Sequence, residues 1–277
     1  MDRKKYHSGQ IALIALLVLA IATTVGLSLI ARTTTDVSVT RNIEESTRAF
    51  SAAEAGIEET LKSGVASAGT IDPTLGVSYI TEIAPATGGV GNPFVFPQKT
   101  VSENTETVWL VAHDPTTGMI IETPTYTANT IDVCWSSEST TPALVVAVLY
   151  KTSGGAYQVA KVAYDPAGRA NNFSAPTPGI GSCPTSTSYR SRIRFSNFVP
   201  AINPASDTLI ALRIRPVYSG TLIAIAPAQN LPTQGNRIES VGVTGSGVNR
   251  KIIVYQQYRV PASIFDYAVY SEGSFSQ

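Results

Sequence analysis

The run QIALIALLVLAIATTVGLSLIA, from Gln10 to Ala31, constrains this chain more than any other stretch. It carries no charge, and its polar side chains are only Gln10, Thr23, Thr24 and Ser28. A helix rising about 1.5 Å per residue needs roughly 20 apolar residues to cross about 30 Å of hydrocarbon. A cleaved secretory signal has a shorter apolar core, about 7–15 residues, and a small-residue cleavage site after it. Here the run is longer, and Arg32, three threonines and Asp36 follow it. The expectation is a membrane helix with the rest of the protein attached to it. The preceding residues 1–9, MDRKKYHSG, set Arg3, Lys4 and Lys5 against Asp2. Positive charge beside one end of a membrane helix keeps that end in the cytoplasm, so everything after Ala31 is expected outside it.

The helical pattern continues past the apolar run. Val39, Ile43, Phe50, Ala53, Ile57 and Leu61 recur mostly at multiples of three, four or seven, which predicts one apolar stripe. Neither Pro nor Gly interrupts Arg32 to Ala55, Lys62 sits in the last turn, and Gly64 supplies a stop. Gly56 is the one weak position, costing about 1 kcal/mol relative to Ala. A single helix over residues 10–62, about 80 Å long, is predicted. Ala22 and Gly26 form a small-xxx-small pair that permits close helix approach.

A short basic leader ending in Gly9, followed at once by an unbroken apolar helix, resembles the class III signal of type IV prepilins and pseudopilins. The segment Arg48–Glu59, through Ala49, Phe50, Ala52, Ala53, Glu54 and Ala55, resembles the AF-x-AAEA signature of PilX-type minor pilins. The resemblance covers residues 4–61. It implies cutting after Gly9 by a membrane peptidase, Gln10 as the new N-terminus, and retention of the helix. It also implies packing against other pilin subunits, with Ile14, Ala22, Gly26, Phe50, Ala53 and Ile57 as the assembly face. Two departures stand out. Major pilins carry a Glu at the fifth mature position, and here that position is Ile14. Gln10 stands where the family usually has an apolar residue. An uncompensated amine in an apolar core is costly, so a subunit without the acid suits a minor role near a filament tip.

The chain of 277 residues has 20 basic and 20 acidic side chains. That balance makes no case for nucleic acid as a partner. Charged residues are only 14% of the chain, a common profile for an extracytoplasmic β-rich protein. Two cysteines, Cys134 and Cys183, are a candidate disulfide outside the cytoplasm. Two free thiols remain the alternative at this point.

Beyond the helix, residues 63–104 read as a loop-rich linker with one short strand over 77–83. Residues 105–277 read as a β-rich head. Strand patterns cover 107–113, 119–122, 126–135, 143–151, 156–164, 189–198, 207–218, 221–226, 237–244, 249–260 and 264–271, with turn residues between them. This spacing predicts antiparallel sheets, sandwich-like, and leaves no room for crossover helices. The strand over 221–226 is expected to pair with 207–218 as a hairpin. Arg190, Arg192, Arg194, Arg213 and Arg215 would make one basic patch if their strands were neighbours, or else a solvated sheet face. Tyr255, Tyr258, Tyr267 and Tyr270 are adhesion candidates, or else packing residues.

No P-loop, G-x-S-x-G, dinucleotide fingerprint or calcium loop occurs. Of two histidines, only His113 lies beyond the leader, and a triad would depend on it alone. The fold class expected is α+β, a long helical spine followed by an antiparallel β head, with no cofactor and no metal. The function expected is a minor pilin-like structural subunit. Its partners would be the inner membrane, a prepilin peptidase and other pilin subunits, and its head would lie outside the cytoplasm. An uncleaved anchor bearing a binding β domain, a secretion pseudopilin and an anchored hydrolase using His113 are the alternatives.

Overall fold

The computed structural model describes residues 8–115 and 117–266. The chain is α+β, one long N-terminal helix followed by antiparallel β-sheets. It divides into two compact units. One holds the N-terminal residues through Glu82 together with Glu239–Ile253; the other holds Ile83–Ile238 and the residues from Val254 on.

In the first unit, helix α1 spans Ser8–Ser63 without a break. The threonines from Thr23 to Thr47 do not disturb it, because each of their hydroxyls bonds back onto the preceding turn. Thr23 reaches the Leu19 carbonyl at 2.9 Å and Thr24 the Ala20 carbonyl at 3.0 Å. Thr33, Thr34, Thr35, Thr40 and Thr47 repeat the pattern. Strands β1 (Ala68–Asp72) and β2 (Val77–Pro85) follow as an antiparallel pair, with Ala68 opposite Ile80. Residues 63–104 are therefore not a linker. The turn over 73–76 is held by Asp72, which accepts the Thr74 and Leu75 amides, and it closes a hairpin that supplies half of a sheet.

The second unit holds two four-stranded sheets. Strands β3 (Phe94–Val95), β4 (Glu106–Trp109), β5 (Thr130–Trp135), β6 (Ala143–Lys151), β7 (Tyr157–Tyr164), β8 (Tyr189–Arg194), β9 (Thr208–Val217) and β10 (Ile223–Pro227) form them. Their orders are β3-β10-β5-β8 and β4-β9-β6-β7. Between the sheets lies one apolar core that includes Trp135, Leu144, Val146, Ile193, Leu212, Ile214 and Ile225. Alternation builds it: along β6, Leu144, Val146, Val148 and Tyr150 are buried while Val145, Ala147 and Leu149 face the other way. Two of the buried polar side chains are paired with backbone. Trp135 donates its indole N–H to the Pro142 carbonyl, and the Gln234 amide side chain both accepts from and donates to the backbone of Trp109.

The remaining strands, β11 (Gly235–Val243) and β12 (Asn249–Gln257), complete the sheet ordered β1-β2-β11-β12. The expected pairing of 221–226 with 207–218 is wrong. Gly220 and Thr221 lead the chain away from β9, and β10 pairs with β3 and β5 in the opposite sheet. Residues 119–122 form no strand; Ile120 makes one isolated bridge to His113. At the C-terminal end Ser263–Asp266 is a 3-10 turn rather than the start of a strand. The rest of that expected strand, with Tyr267 and Tyr270, lies outside the described residues.

Candidate functional site: the apolar helix, its docked end and the second unit

From Ala12 to Ala31 the side chains of α1 are exposed, with Gly26 half-buried. This half is long and apolar enough to span a membrane. Ile14, Ala22 and Gly26 therefore stand free of the protein's own packing, and no atom lies within 4 Å of a Cβ built at Gly26. Gly9 and Gln10 lie in the first turns of the helix.

The second half of the helix is built to meet a sheet closely. Ala49, Ala52, Ala53, Gly56, Ile57 and Thr60 are buried, at spacings of three and four that define one face. Most are small, and the geometry requires it. A Cβ at Gly56 would fall 2.4 Å from Ser240 Oγ and 2.8 Å from the Tyr79 ring. A Cβ at Gly242 would fall 2.0 Å from the Ala49 carbonyl oxygen. The expected apolar stripe is met in part: its Ala53 and Ile57 are buried, while Val39, Ile43, Phe50 and Leu61 are exposed. Of the proposed assembly face, Ala53 and Ile57 are corrected here, since both are buried within the first unit, while Phe50 is 46% exposed. Large apolar side chains drew the sequence reading, whereas backbone-to-backbone approach selects Ala and Gly.

Polar contacts finish the seam. The hydroxyls of Thr60 and Thr81 lie 2.8 Å apart, and Thr81 also accepts from the Ser67 amide at 2.7 Å. Ser246 donates to Glu45, and Arg250 donates to the Ser46 hydroxyl at 2.7 Å. The Ser246 and Thr244 hydroxyls beside Glu45 hold its carboxyl below the usual range.

In the second unit Cys134 and Cys183 are bonded, with Cα atoms 5.8 Å apart, and are buried against Ala224 and Ala226. The five arginines do not form one patch, because β8 and β9 belong to different sheets. Arg190 and Arg192 share the buried carboxylate of Asp132, and that carboxylate raises the Arg192 pKa. Arg213 is buried in a two-armed pair with Asp266, at 2.6 and 2.7 Å, and also donates to the Pro261 carbonyl. Arg215 reaches Glu103. Arg194 alone of the five has no side-chain partner among the described residues.

His113 is 8% exposed, stacked on Tyr258 at 3.9 Å and edge-on to Trp109 at 4.6 Å. Its Nδ1 has no hydrogen-bond partner, and burial lowers its pKa. It sits in an aromatic slot, and among the described residues no hydroxyl or carboxylate is hydrogen-bonded to its Nδ1. Tyr258 is thereby a packing residue, while Tyr255 is exposed. Among the described residues no group of three or more His, Cys, Asp and Glu converges as a metal site. Comparisons with protein-family models, with curated proteins and with solved structures find no match for this chain.

Proposed function

We propose that the chain is a minor pilin-like structural subunit. The first half of α1 holds it in the inner membrane until that half packs against the helices of other subunits. The observation that carries this reading is one continuous helix, Ser8–Ser63, whose first half is bare and apolar and whose second half is docked on a β-sheet by small residues. A helix bare along this much apolar surface needs lipid or other helices around it. The Cys134–Cys183 bridge agrees with a head outside the cytoplasm, where disulfides persist. The basic residues before Gly9 agree with that orientation. Processing would follow Gly9, and the absence of an acid at Ile14 favours a minor, tip-proximal role over a place in the shaft.

A second reading is favoured by one feature, Gln10 at the residue after the cut: an uncleaved single-pass anchor carrying a binding β domain. Intact mass and N-terminal sequence of the protein from native membranes, with and without the host's prepilin peptidase, separate the two. A peptidase-dependent start at Gln10 supports the pilin reading. A start at Met1 in both strains rejects it.

A further inference from the structure

Strands β7 and β8 are the edge strands of the two sheets of the second unit, and a cleft of about 460 Å³ is lined from both. Its polar lining is Lys161, Tyr164, Ser174, Arg192, Arg194 and Asn197, and no acidic side chain lines it. Lys161 and Arg194 are exposed and have no ion-pair or hydrogen-bond partner among the described residues. The same holds for the side chains of Ser174 and Asn197. Tyr164 completes the lining: the residue is 9% exposed, and its hydroxyl has no hydrogen-bond partner among the described residues and is not shut off from the cleft, so it is available to a ligand there. Only Arg192 is already engaged, with Asp132.

We infer that this cleft binds a segment of an acidic polysaccharide, with Lys161 and Arg194 meeting carboxylates and Tyr164, Ser174 and Asn197 meeting sugar hydroxyls. Unpaired cations interleaved with hydroxyl and amide groups match a polymer that alternates carboxylates with hydroxyls. Half-buried Val162 and Phe198 supply the apolar wall for a sugar face. The volume is that of a small-molecule site. Nucleic acid fits less well. It calls for a longer basic track and exposed aromatic faces for stacking, while this chain is formally neutral and the cleft's aromatics are buried or half-buried. The inference rests on the cleft alone and stands whether or not the helix is processed at Gly9.

The test is titration of the full chain in detergent micelles with polygalacturonate, neutral dextran and poly(dT). Polygalacturonate is expected to bind, more weakly as salt rises, and dextran is expected not to. Losing two charge-assisted contacts in K161A/R194A should weaken binding about tenfold or more. Y164F should weaken it at unchanged charge and an unchanged melting curve; K161Q/R194Q repeats the charge test should the alanine variant fold poorly. Unchanged affinity in both kinds of variant, no binding of polygalacturonate, equal binding of dextran, or tighter binding of poly(dT) would each overturn the assignment.

Discussion

His113 shows what burial does to a single titratable group. Its ring is stacked on Tyr258 and enclosed by Trp109, so the charged form is disfavoured in the folded head. The unfolded chain takes up a proton near pH 6.5 and the folded one resists it below that value. This contribution to stability is fully present above about pH 6.5 and is lost as the pH falls towards the lower folded value. Thermal melts of the full chain across pH 7.5 to about 5 should show the decline. H113F, which keeps a ring in the slot without a proton to bind, should flatten it; an unchanged pH profile in H113F would refute the assignment. The sequence offered only a lone histidine beyond the leader. Its stacking partner, Tyr258, is remote in sequence and brought to it by the fold.

At the scale of an element, α1 was legible as a helix throughout, and its bounds differ from the expectation by two residues at the first end and one at the last. Its buried face was legible only in part, since Ala53 and Ile57 of the predicted stripe are buried. Hydrophobic periodicity weights Ile, Leu and Phe, and so also selected the exposed Phe50 and Leu61 and missed Ala49, Ala52, Gly56 and Thr60, which complete the docked face with Ala53 and Ile57. Gly56, which looks like a defect in a helix, is the position where a side chain has no room. The AF-x-AAEA segment thereby has a physical reading as the part of the helix that the sheet approaches. Overpacking of this seam should cost about 1–3 kcal/mol. G56L and G242A are both expected to lower the urea midpoint and to raise hydrogen exchange over residues 49–60, with circular dichroism still helical. Protection equal to wild type in both variants would show that the seam does not hold the helix. The strand set was read well where alternation is strong, as in β6 and β9. It failed at β10, where each residue is buried and the pattern carries no information about which sheet the strand joins.

For the molecule as a whole, the apolar half of α1 and the β domains separate in the sequence by composition, and that division survives in the structure. Deleting residues 1–31 should move the protein from the detergent phase to the aqueous phase in a cloud-point partition, with the head's β-sheet spectrum retained. Retention in the detergent phase would place the membrane affinity elsewhere. The partition of the β region into two units was not legible, because Glu239–Ile253 returns from late in the sequence to join the N-terminal residues. The cysteine pairing was left open by spacing alone; in the fold Cys134 on β5 and Cys183 in a loop come together. C134A/C183A should lower the unfolding free energy by about 3–4 kcal/mol, measured by urea titration.

That bridge has a consequence for how the second unit meets proteolysis. The covalent ring from Cys134 to Cys183 contains all of β6 and β7, the exposed turn at Ser153–Gly155 and the loop after Tyr164. A protease that nicks either exposed segment cuts a ring, not a chain. The two ends stay joined through sulfur and through the strand pairings around them, so a nicked head remains in one piece and parts only on reduction. A cut within the ring would then leave the residues after Cys183 covalently joined to the N-terminal helix.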